Sequence, residues 1–115
     1  MNSNPRTAIA QRVLKFGASG ASGIVPVTIY LPRASGNDWC CAYEIGWPTG
    51  TRQGQAFGVD SVQALLLAMQ TIGAELYATR PSGIDDLQWL EKGGGFGFPL
   101  SPAVRDMAVG EDRLM

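Results

Sequence analysis

The stretch FGVDSVQALLLAMQTIGAELYATR, residues 57–80, constrains the fold most, because it alone sustains one periodicity over many residues. Its apolar residues recur at intervals of three and four, which is typical of one helical face. Asp60 and Gln63 have the spacing of a capping box, and Pro81 follows the end of the pattern. The sequence therefore predicts a helix from about Ser61 to Thr79.

The apolar face of this predicted helix requires a second layer to pack against. The face is formed by Val62, Leu65, Leu66, Met69, Ile72, Gly73 and Leu76. The glycine on this face indicates a close approach to the other layer. We expect that layer to be a sheet.

Four segments ahead of the helix have the composition of strands, namely 7–16, 24–31, 39–47 and 51–58. In the third, large apolar residues alternate with small or charged ones, so its large face should be buried. The predicted core contains Trp39, Cys41, Tyr43, Ile45, Leu65, Met69, Ile72 and Leu76. Pro26 cannot donate to a ladder, which favours an open edge or a bulge at that position.

Short connections between successive strands favour an antiparallel meander. The predicted fold class is α+β: an antiparallel four-stranded meander with one long helix packed on one face and an irregular C-terminal segment. We expect a single domain over residues 1–115, with 1–6 and about 110–115 flexible. Segment 93–99 is rich in glycine, but its two phenylalanines need burial, so we expect a loop pinned by its aromatic rings.

The chain contains no histidine, and its two cysteines, Cys40 and Cys41, are adjacent. Histidine-dependent nucleophile pairs and zinc sites of the usual spacing are thereby excluded. Neighbouring strand residues point to opposite faces, so we expect two free thiols, with Cys41 buried and Cys40 accessible. Asp85 and Asp86 could serve acid–base chemistry or bind a cation, but a solvated loop is the favoured interpretation. We therefore predict no catalytic residues, no cofactor and no metal site.

Nine basic and ten acidic residues give a net charge of -1, without any basic run. Nucleic acid is therefore not an expected partner, because phosphate neutralisation needs clustered cations. The longest apolar run is far shorter than a bilayer span, and the amino-terminal stretch lacks the apolar core of a signal peptide. We expect no membrane association and a cytoplasmic location.

Three motifs carry a resemblance to a known family: the W-x-C-x-Y-x-I strand at 39–45, GVDSVQAL at 58–65 and GFP at 97–99. Together they resemble a small bacterial family known as a domain of unknown function, over roughly Arg12 to Pro99. The resemblance implies a β-hairpin, a second hairpin and then a helix. It implies no activity.

Two classes of function remain after these exclusions. The first is a non-catalytic protein-interaction module, such as an immunity or antitoxin-type protein that masks the active site of another protein. The second is a small-ligand binder or enzyme that uses the aromatic face and the glycine-rich loop as a pocket. The absence of catalytic groups favours the first.

The helix face opposite the core stripe carries no charge and holds Leu67 at its centre, which is unusual for a solvated face. Either Leu67 is an ordinary exposed leucine without a partner, or the C-terminal segment or a second subunit covers this face. We predict a homodimer that buries Leu67 or the outward sheet face around Cys40 and Ala42. The predicted interface residues are Leu67, Gln63, Gln70, Ala74, Cys40 and Glu44. Glu44 is expected to face solvent or to pair with Arg52 across the strands.

Overall fold

The structure is a computed structural model that describes residues 6–18, 21–91 and 93–114. Within these residues the chain forms five strands, one α-helix and two short 3-10 helices. The strands are β1 (Ala8–Ala18), β2 (Ala21–Tyr30), β3 (Arg33–Ser35), β4 (Asp38–Trp47) and β5 (Gly50–Gly58). Helix α1 spans Ser61–Ala78, and the 3-10 helices span Pro102–Met107 and Gly110–Leu114. Flexibility was predicted for 1–6, of which residues 1–5 lie outside the described ranges, and for 110–115, where it stays a prediction.

All strand pairs are antiparallel, and the predicted α+β class is confirmed. β1 pairs with β2, and β5 pairs with β4 over its whole length. Two strands share the other edge of β4: β3 pairs with the beginning of β4, and β2 pairs with a later part of β4. The sheet is therefore the predicted meander with one additional short strand, β3, which follows the predicted second strand at 24–31. Pro32 lies between β2 and β3, and its missing N–H cannot contribute a bond to a ladder with β4.

Pro26 was expected at an open edge or a bulge, but it lies within β2, a strand with neighbours on both sides. Its pairing with Val13 of β1 is regular. The ladder between β2 and β4 covers only Val27 to Ile29, so Pro26 lies just beyond its end. A residue without an N–H is tolerated there, because no ladder bond to β4 is required.

Helix α1 begins and ends where the sequence predicts. Oδ1 of Asp60 accepts a hydrogen bond from the Gln63 amide at 2.8 Å, and the Gln63 side chain accepts one from the Val59 amide at 2.7 Å. Thr79 caps the other end with a backbone bond to the Glu75 carbonyl. The capping groups therefore satisfy backbone groups that the first and last turns leave unpaired.

The buried face of α1 agrees with the predicted one at Ile72, Gly73 and Leu76 and differs from it elsewhere. It consists of Ala64, Ala68, Ile72, Gly73, Glu75 and Leu76. Two members of the predicted face, Val62 and Leu66, are instead 72% and 43% exposed. The first turn of the helix lies very close to the end of β5: a Cβ at Gly58 would overlap the backbone of Ala64. The buried face carries alanines near this end and the larger Ile72 and Leu76 further along.

The C-terminal segment packs beside α1 on the same side of the sheet. Lys15 of β1 and Gln88 exchange two backbone hydrogen bonds of 2.8 Å each. Four apolar side chains of this segment are buried in the main core: Ile84, Leu87, Phe96 and Phe98. Both phenylalanines of the glycine-rich loop are therefore buried, as predicted. None of the described helices is long and apolar enough to cross a membrane.

Candidate functional site

The sheet has one face against α1 and one face turned away from it, the outer face. At one end of the outer face three side chains form an apolar corner, which consists of Val13, Ile24 and Pro26. Val13 is 45% and Ile24 is 61% exposed. Pro26 lies over Gly46 of β4, where a Cβ would come within 2.9 Å of the proline ring. The small residue on β4 therefore allows the corner to lie flat against the sheet.

A row of polar residues crosses all four long strands at the middle of the outer face. The polar row consists of Gln11, Thr28, Glu44 and Gln53, which are successive cross-strand partners. Nε2 of Gln11 donates to Oγ1 of Thr28 at 3.1 Å, and Nε2 of Gln53 donates to Oε2 of Glu44 at 3.2 Å. Arg6 forms an ion pair with Glu44 at 3.9 Å. Glu44, the one acid of the polar row, thus contacts both Gln53 and Arg6.

Arg6 also lies over the ring of Tyr30, with its Cζ 5.4 Å from the ring centroid. Burial raises the pKa of Tyr30, and the neighbouring Glu44 carboxylate raises it further. The phenol therefore stays protonated well above neutral pH, with its hydroxyl directed at Glu44.

Cys40 lies at the far end of the outer face, opposite Phe57 of β5. We expected an accessible thiol, and this prediction is wrong, because Cys40 is only 2% exposed. Its Sγ donates to Oε1 of Gln55 at 3.1 Å, so the larger side chains of β5 close over it. Cys41 is buried on the opposite face, as predicted, and burial beside Cys40 raises the pKa of the Cys41 thiol.

The six predicted interface residues fall into two groups on opposite sides of the sheet. Cys40 and Glu44 lie on the outer face, on the same strand. The other four lie on α1, where Gln63 is exposed while Leu67, Gln70 and Ala74 are half-buried. Leu67 packs against the main core. The role of these residues in an interface stays a prediction.

The side of the sheet under α1 holds a charged cluster of the buried Tyr43 and Glu75 and the partly exposed Arg52. Glu75 lies on the buried face of the helix, and its carboxylate accepts hydrogen bonds from the Tyr43 hydroxyl and from Nε of Arg52. The expected pairing of Arg52 with Glu44 is wrong. Arg52 is the cross-strand partner of Ile45, so its side chain lies on the face opposite to Glu44.

The burial of Tyr43 and its hydrogen bond to Glu75 raise the pKa of the phenol. Gly54 makes room for this arrangement, because a Cβ there would overlap the Tyr43 hydroxyl. Every buried side-chain polar atom of the cluster therefore has a partner, and the cluster joins β4, β5 and α1.

A second cluster surrounds Arg12 of β1. The Arg12 guanidinium lies 3.6 Å from the centroid of the Trp89 ring and 5.0 Å from that of Phe98. Its Nη1 donates to the carbonyl oxygens of Phe96, at 3.2 Å, and of Gly97, at 2.8 Å. Burial lowers the pKa of Arg12, while the nearby Asp112 opposes this effect. The GFP motif is thereby held against β1 through its backbone.

Asp112 anchors the same loop from the other side and is 1% exposed. Its carboxylate accepts hydrogen bonds from the amides of Phe96 and Gly97, each at 2.8 Å, and from the Tyr77 hydroxyl at 2.5 Å. Burial, followed by the bond to Asp112, raises the pKa of Tyr77 to about 12. A single buried carboxylate thus fixes the loop, α1 and the second 3-10 helix together.

A cleft of about 460 Å³ opens beside this cluster. Its walls include Arg12, Trp89, Glu91, Glu111 and backbone of the glycine-rich loop. The cleft thus includes the glycine-rich loop of the second hypothesis, but its lining contains no residue of the aromatic face of β4 that the hypothesis also invoked.

Asp85 is exposed in its loop, and its carbonyl accepts a hydrogen bond from the Gly17 amide at 3.1 Å. Asp86 is half-buried and has a φ of 54°. No group of three or more cysteine and acidic residues within the described ranges is placed to hold a metal ion.

Sequence reasoning missed three of the charged residues that organise these clusters. Glu75 lies three residues after Ile72 and one before Leu76, so the helical spacing already placed it beside the apolar stripe. Arg12 alternates with Leu14 and Phe16 along β1, which is a signal that its side chain faces inwards. No local sequence pattern indicates the role of Asp112, because the groups that donate hydrogen bonds to it come from distant segments of the chain.

The fold and its surfaces define a small α+β protein with one covered and one open sheet face. The chain belongs to the DUF6968 family, a domain of unknown function, whose model matches residues 10–100. The predicted membership of such a family is thereby confirmed. No curated protein and no solved structure matches this chain.

Proposed function

We propose that this protein is a non-catalytic protein-interaction module that binds a partner protein through the outer face of its sheet. The observation that carries the proposal is the distribution of side chains on that face. Exposed apolar groups stand at both ends, with the apolar corner at one and Phe57, 49% exposed, at the other. The polar row lies between them.

This arrangement fits the composition of protein interfaces. Interfaces combine apolar and aromatic anchors with polar groups that fix the register of the partner. The polar row offers Glu44 as an acceptor, and the Tyr30 hydroxyl beside it is directed at that same carboxylate. The immunity or antitoxin-type role is the finer form of the proposal, in which the partner is an enzyme whose active site the outer face covers.

The test uses two exposed positions of the apolar corner. The double variant Val13→Glu with Ile24→Glu should lose a partner that the wild-type protein captures from a bacterial lysate. Leu90→Glu is the matched control, because Leu90 is 73% exposed and lies outside the sheet. Melting curves must show that all three proteins remain folded.

A partner captured by the wild type and by Leu90→Glu, but not by the double variant, supports the proposal. Equal capture by all three proteins, or capture by none, contradicts it. If the partner is an enzyme, its inhibition by the wild type and not by the double variant supports the immunity or antitoxin-type role.

The cleft beside Arg12 favours a second candidate function, the binding of a small ligand. Its volume of about 460 Å³ lies in the range of small-molecule sites. Arg12, stacked on Trp89, and the acids Glu91 and Glu111 offer charges of both signs at its wall. A thermal-shift screen against metabolites tests this candidate. A ligand that raises the melting temperature of the wild type, but not of Glu91→Ala with Glu111→Ala, would support it.

A further inference from the structure

The two edges of the sheet differ in how they are protected against pairing with another chain. β1 has a register shift between Ala8 and Ala10, and Lys15 on this strand exchanges hydrogen bonds with Gln88. Bulges, lysines and covering segments are the usual devices that block strand addition. One outer edge is therefore guarded.

β5, at the other edge, has none of these devices. It pairs with β4 over nine residues without a register shift, and its sequence GTRQGQAFG contains neither proline nor lysine. Among the described residues, no backbone group hydrogen-bonds to its outer edge. Alternate residues of an antiparallel edge strand direct their N–H and C=O groups outwards. The edge is thus available to another strand.

We infer that a second copy of this chain occupies the edge, with β5 pairing antiparallel to β5 about a twofold axis at Gly54. The inference rests on the proposed interaction role and extends it to self-association. Gly54 is the middle residue of β5, so this register pairs the entire strand. In this register Thr51 of one copy faces Phe57 of the other, and in the same way Arg52 faces Ala56 and Gln53 faces Gln55. Because every second pair exchanges two bonds, about eight hydrogen bonds join the copies.

The two glutamines have complementary groups left for this contact. Gln53 uses Nε2 to donate to Glu44, which leaves its Oε1 as an acceptor. Gln55 uses Oε1 to accept from Cys40, which leaves its Nε2 as a donor. In the dimer, Nε2 of Gln55 in one copy faces Oε1 of Gln53 in the other. The twofold axis repeats this contact on both sides of Gly54.

The charge on β5 favours the same register. Arg52 is the only charged residue of the strand, and it faces the small side chain of Ala56 in the second copy. The two Arg52 residues are then four positions apart, which is about 13 Å along the strands and beyond the screening length at physiological salt. A register shifted by two residues towards Arg52 would halve the distance between the two Arg52 residues and would shorten the paired segment. Both effects disfavour the shifted register.

The test introduces charges at Gln53 and Gln55, which face each other across the proposed interface. Sedimentation equilibrium of the full chain then measures the mass of the species in solution. The wild type should be a dimer at micromolar concentration. Gln53→Lys with Gln55→Lys should raise the dimer dissociation constant about tenfold, because like charges face each other twice. Gln53→Lys with Gln55→Glu places opposite charges together and should retain the dimer. Asn37→Lys with Ser82→Lys adds the same charge as the repulsive variant, at exposed positions outside the strands, and should also remain dimeric.

A monomeric wild type at hundreds of micromolar overturns the inference. So does a dimer whose dissociation constant is the same in the repulsive and the complementary variants. Melting curves exclude unfolding as the cause of dissociation. A monomer that still captures a partner through Val13 and Ile24 refutes the dimer alone, whereas a dimer without such a partner refutes the proposed function alone.

Discussion

The hydroxyl of Tyr43 on β4 donates a hydrogen bond to Oε2 of Glu75, an acid on the buried face of α1. Nε of Arg52 on β5 donates to the other carboxylate oxygen. The acid is 7% exposed, so its charge depends on these two donors. The cluster therefore connects the buried face of α1 to β4 and β5.

Removing either donor should destabilise the protein. We expect Tyr43→Phe and Arg52→Ala each to lower the free energy of unfolding by about 1–3 kcal/mol, because each leaves a buried oxygen short of a partner. Arg52 is half exposed, and water should replace part of its contribution, so its loss should be the smaller. Urea unfolding of both single variants and the double variant measures this. Strictly additive losses would contradict a shared cluster.

Stability should also fall at alkaline pH. Burial and hydrogen bonds to carboxylates raise the pKa of Tyr43 and bring that of Tyr77 to about 12, above the unfolded value of about 10. The folded state therefore holds these protons more tightly. The resulting stabilisation is fully present below about pH 10 and is lost as pH rises through the folded pKa.

Unfolding midpoints measured across this pH range provide the test. Tyr77→Phe should flatten the decline, because the phenylalanine has no proton to lose. A decline of equal steepness in the wild type and in Tyr77→Phe would contradict the role of this phenol. Tyrosinate absorbance of the native wild type should likewise develop only above the pH expected for free tyrosine.

The sequence predicted the element order and the face of β4 correctly, because alternation in a strand depends on local residues alone. For α1 it placed Ile72 and Leu76 on the buried face correctly but Val62 and Leu66 wrongly. Hydrophobicity favoured Val62 and Leu66, whereas the small residues Ala64 and Ala68 occupy the buried face instead. The first turn of the helix passes close to Gly58 at the end of β5, and no periodicity within the helix contains that contact.

The candidate sites were predictable to different degrees for the same reason. Alternation along β4 and β5 places Glu44 and Gln53 on the outer face from local sequence alone. The pairing of Arg12 with the GFP loop and of Asp112 with Tyr77 depends on contacts between segments far apart in the chain. Such contacts follow from the packing of the C-terminal segment, for which the sequence shows no regular pattern.

The corrected helix face leads to a stability prediction. Leu76 is fully buried, so Leu76→Ala should cost about 2–5 kcal/mol of unfolding free energy. Leu66→Ala, on the exposed side of the same helix, should change it by less than about 1 kcal/mol. Leu65, which the sequence placed in the core, is half-buried and should give an intermediate loss. Thermal unfolding of the three variants tests the rotation, and an equal loss at Leu66 and Leu76 would contradict it.

Both cysteines should be unreactive in the native protein. Cys40 is covered by β5 side chains, and burial raises the pKa of Cys41, so little thiolate is accessible at neutral pH. A thiol reagent should label both slowly in the folded state and both quickly after denaturation. Rapid labelling of one thiol in the native protein would contradict its burial. Phe57→Ala should speed the labelling of Cys40 more than that of Cys41, because Phe57 is a cross-strand neighbour of Cys40 and not of Cys41.

Gly97 gives the sharpest test of the loop cluster. Its φ is 81°, and a Cβ there would lie 2.5 Å from Nη1 of Arg12 and from Cζ3 of Trp89. Gly83 has a similar φ of 89° but no atom within 4 Å of such a Cβ. Gly83→Ala should therefore cost only the backbone strain of about 1–2 kcal/mol. Gly97→Ala should cost about 1–3 kcal/mol more, because the arginine and the indole must also move.

Chemical denaturation of the two alanine variants measures the difference directly, since the strain term is common to both. The displaced indole should also shift the Trp89 fluorescence in Gly97→Ala and leave it unchanged in Gly83→Ala. Equal stabilities with equal spectra would mean that Arg12 and Trp89 do not depend on the close approach of the loop. A selective loss in Gly97→Ala would establish that the glycine of the GFP motif is required for the stacking of Arg12 on Trp89.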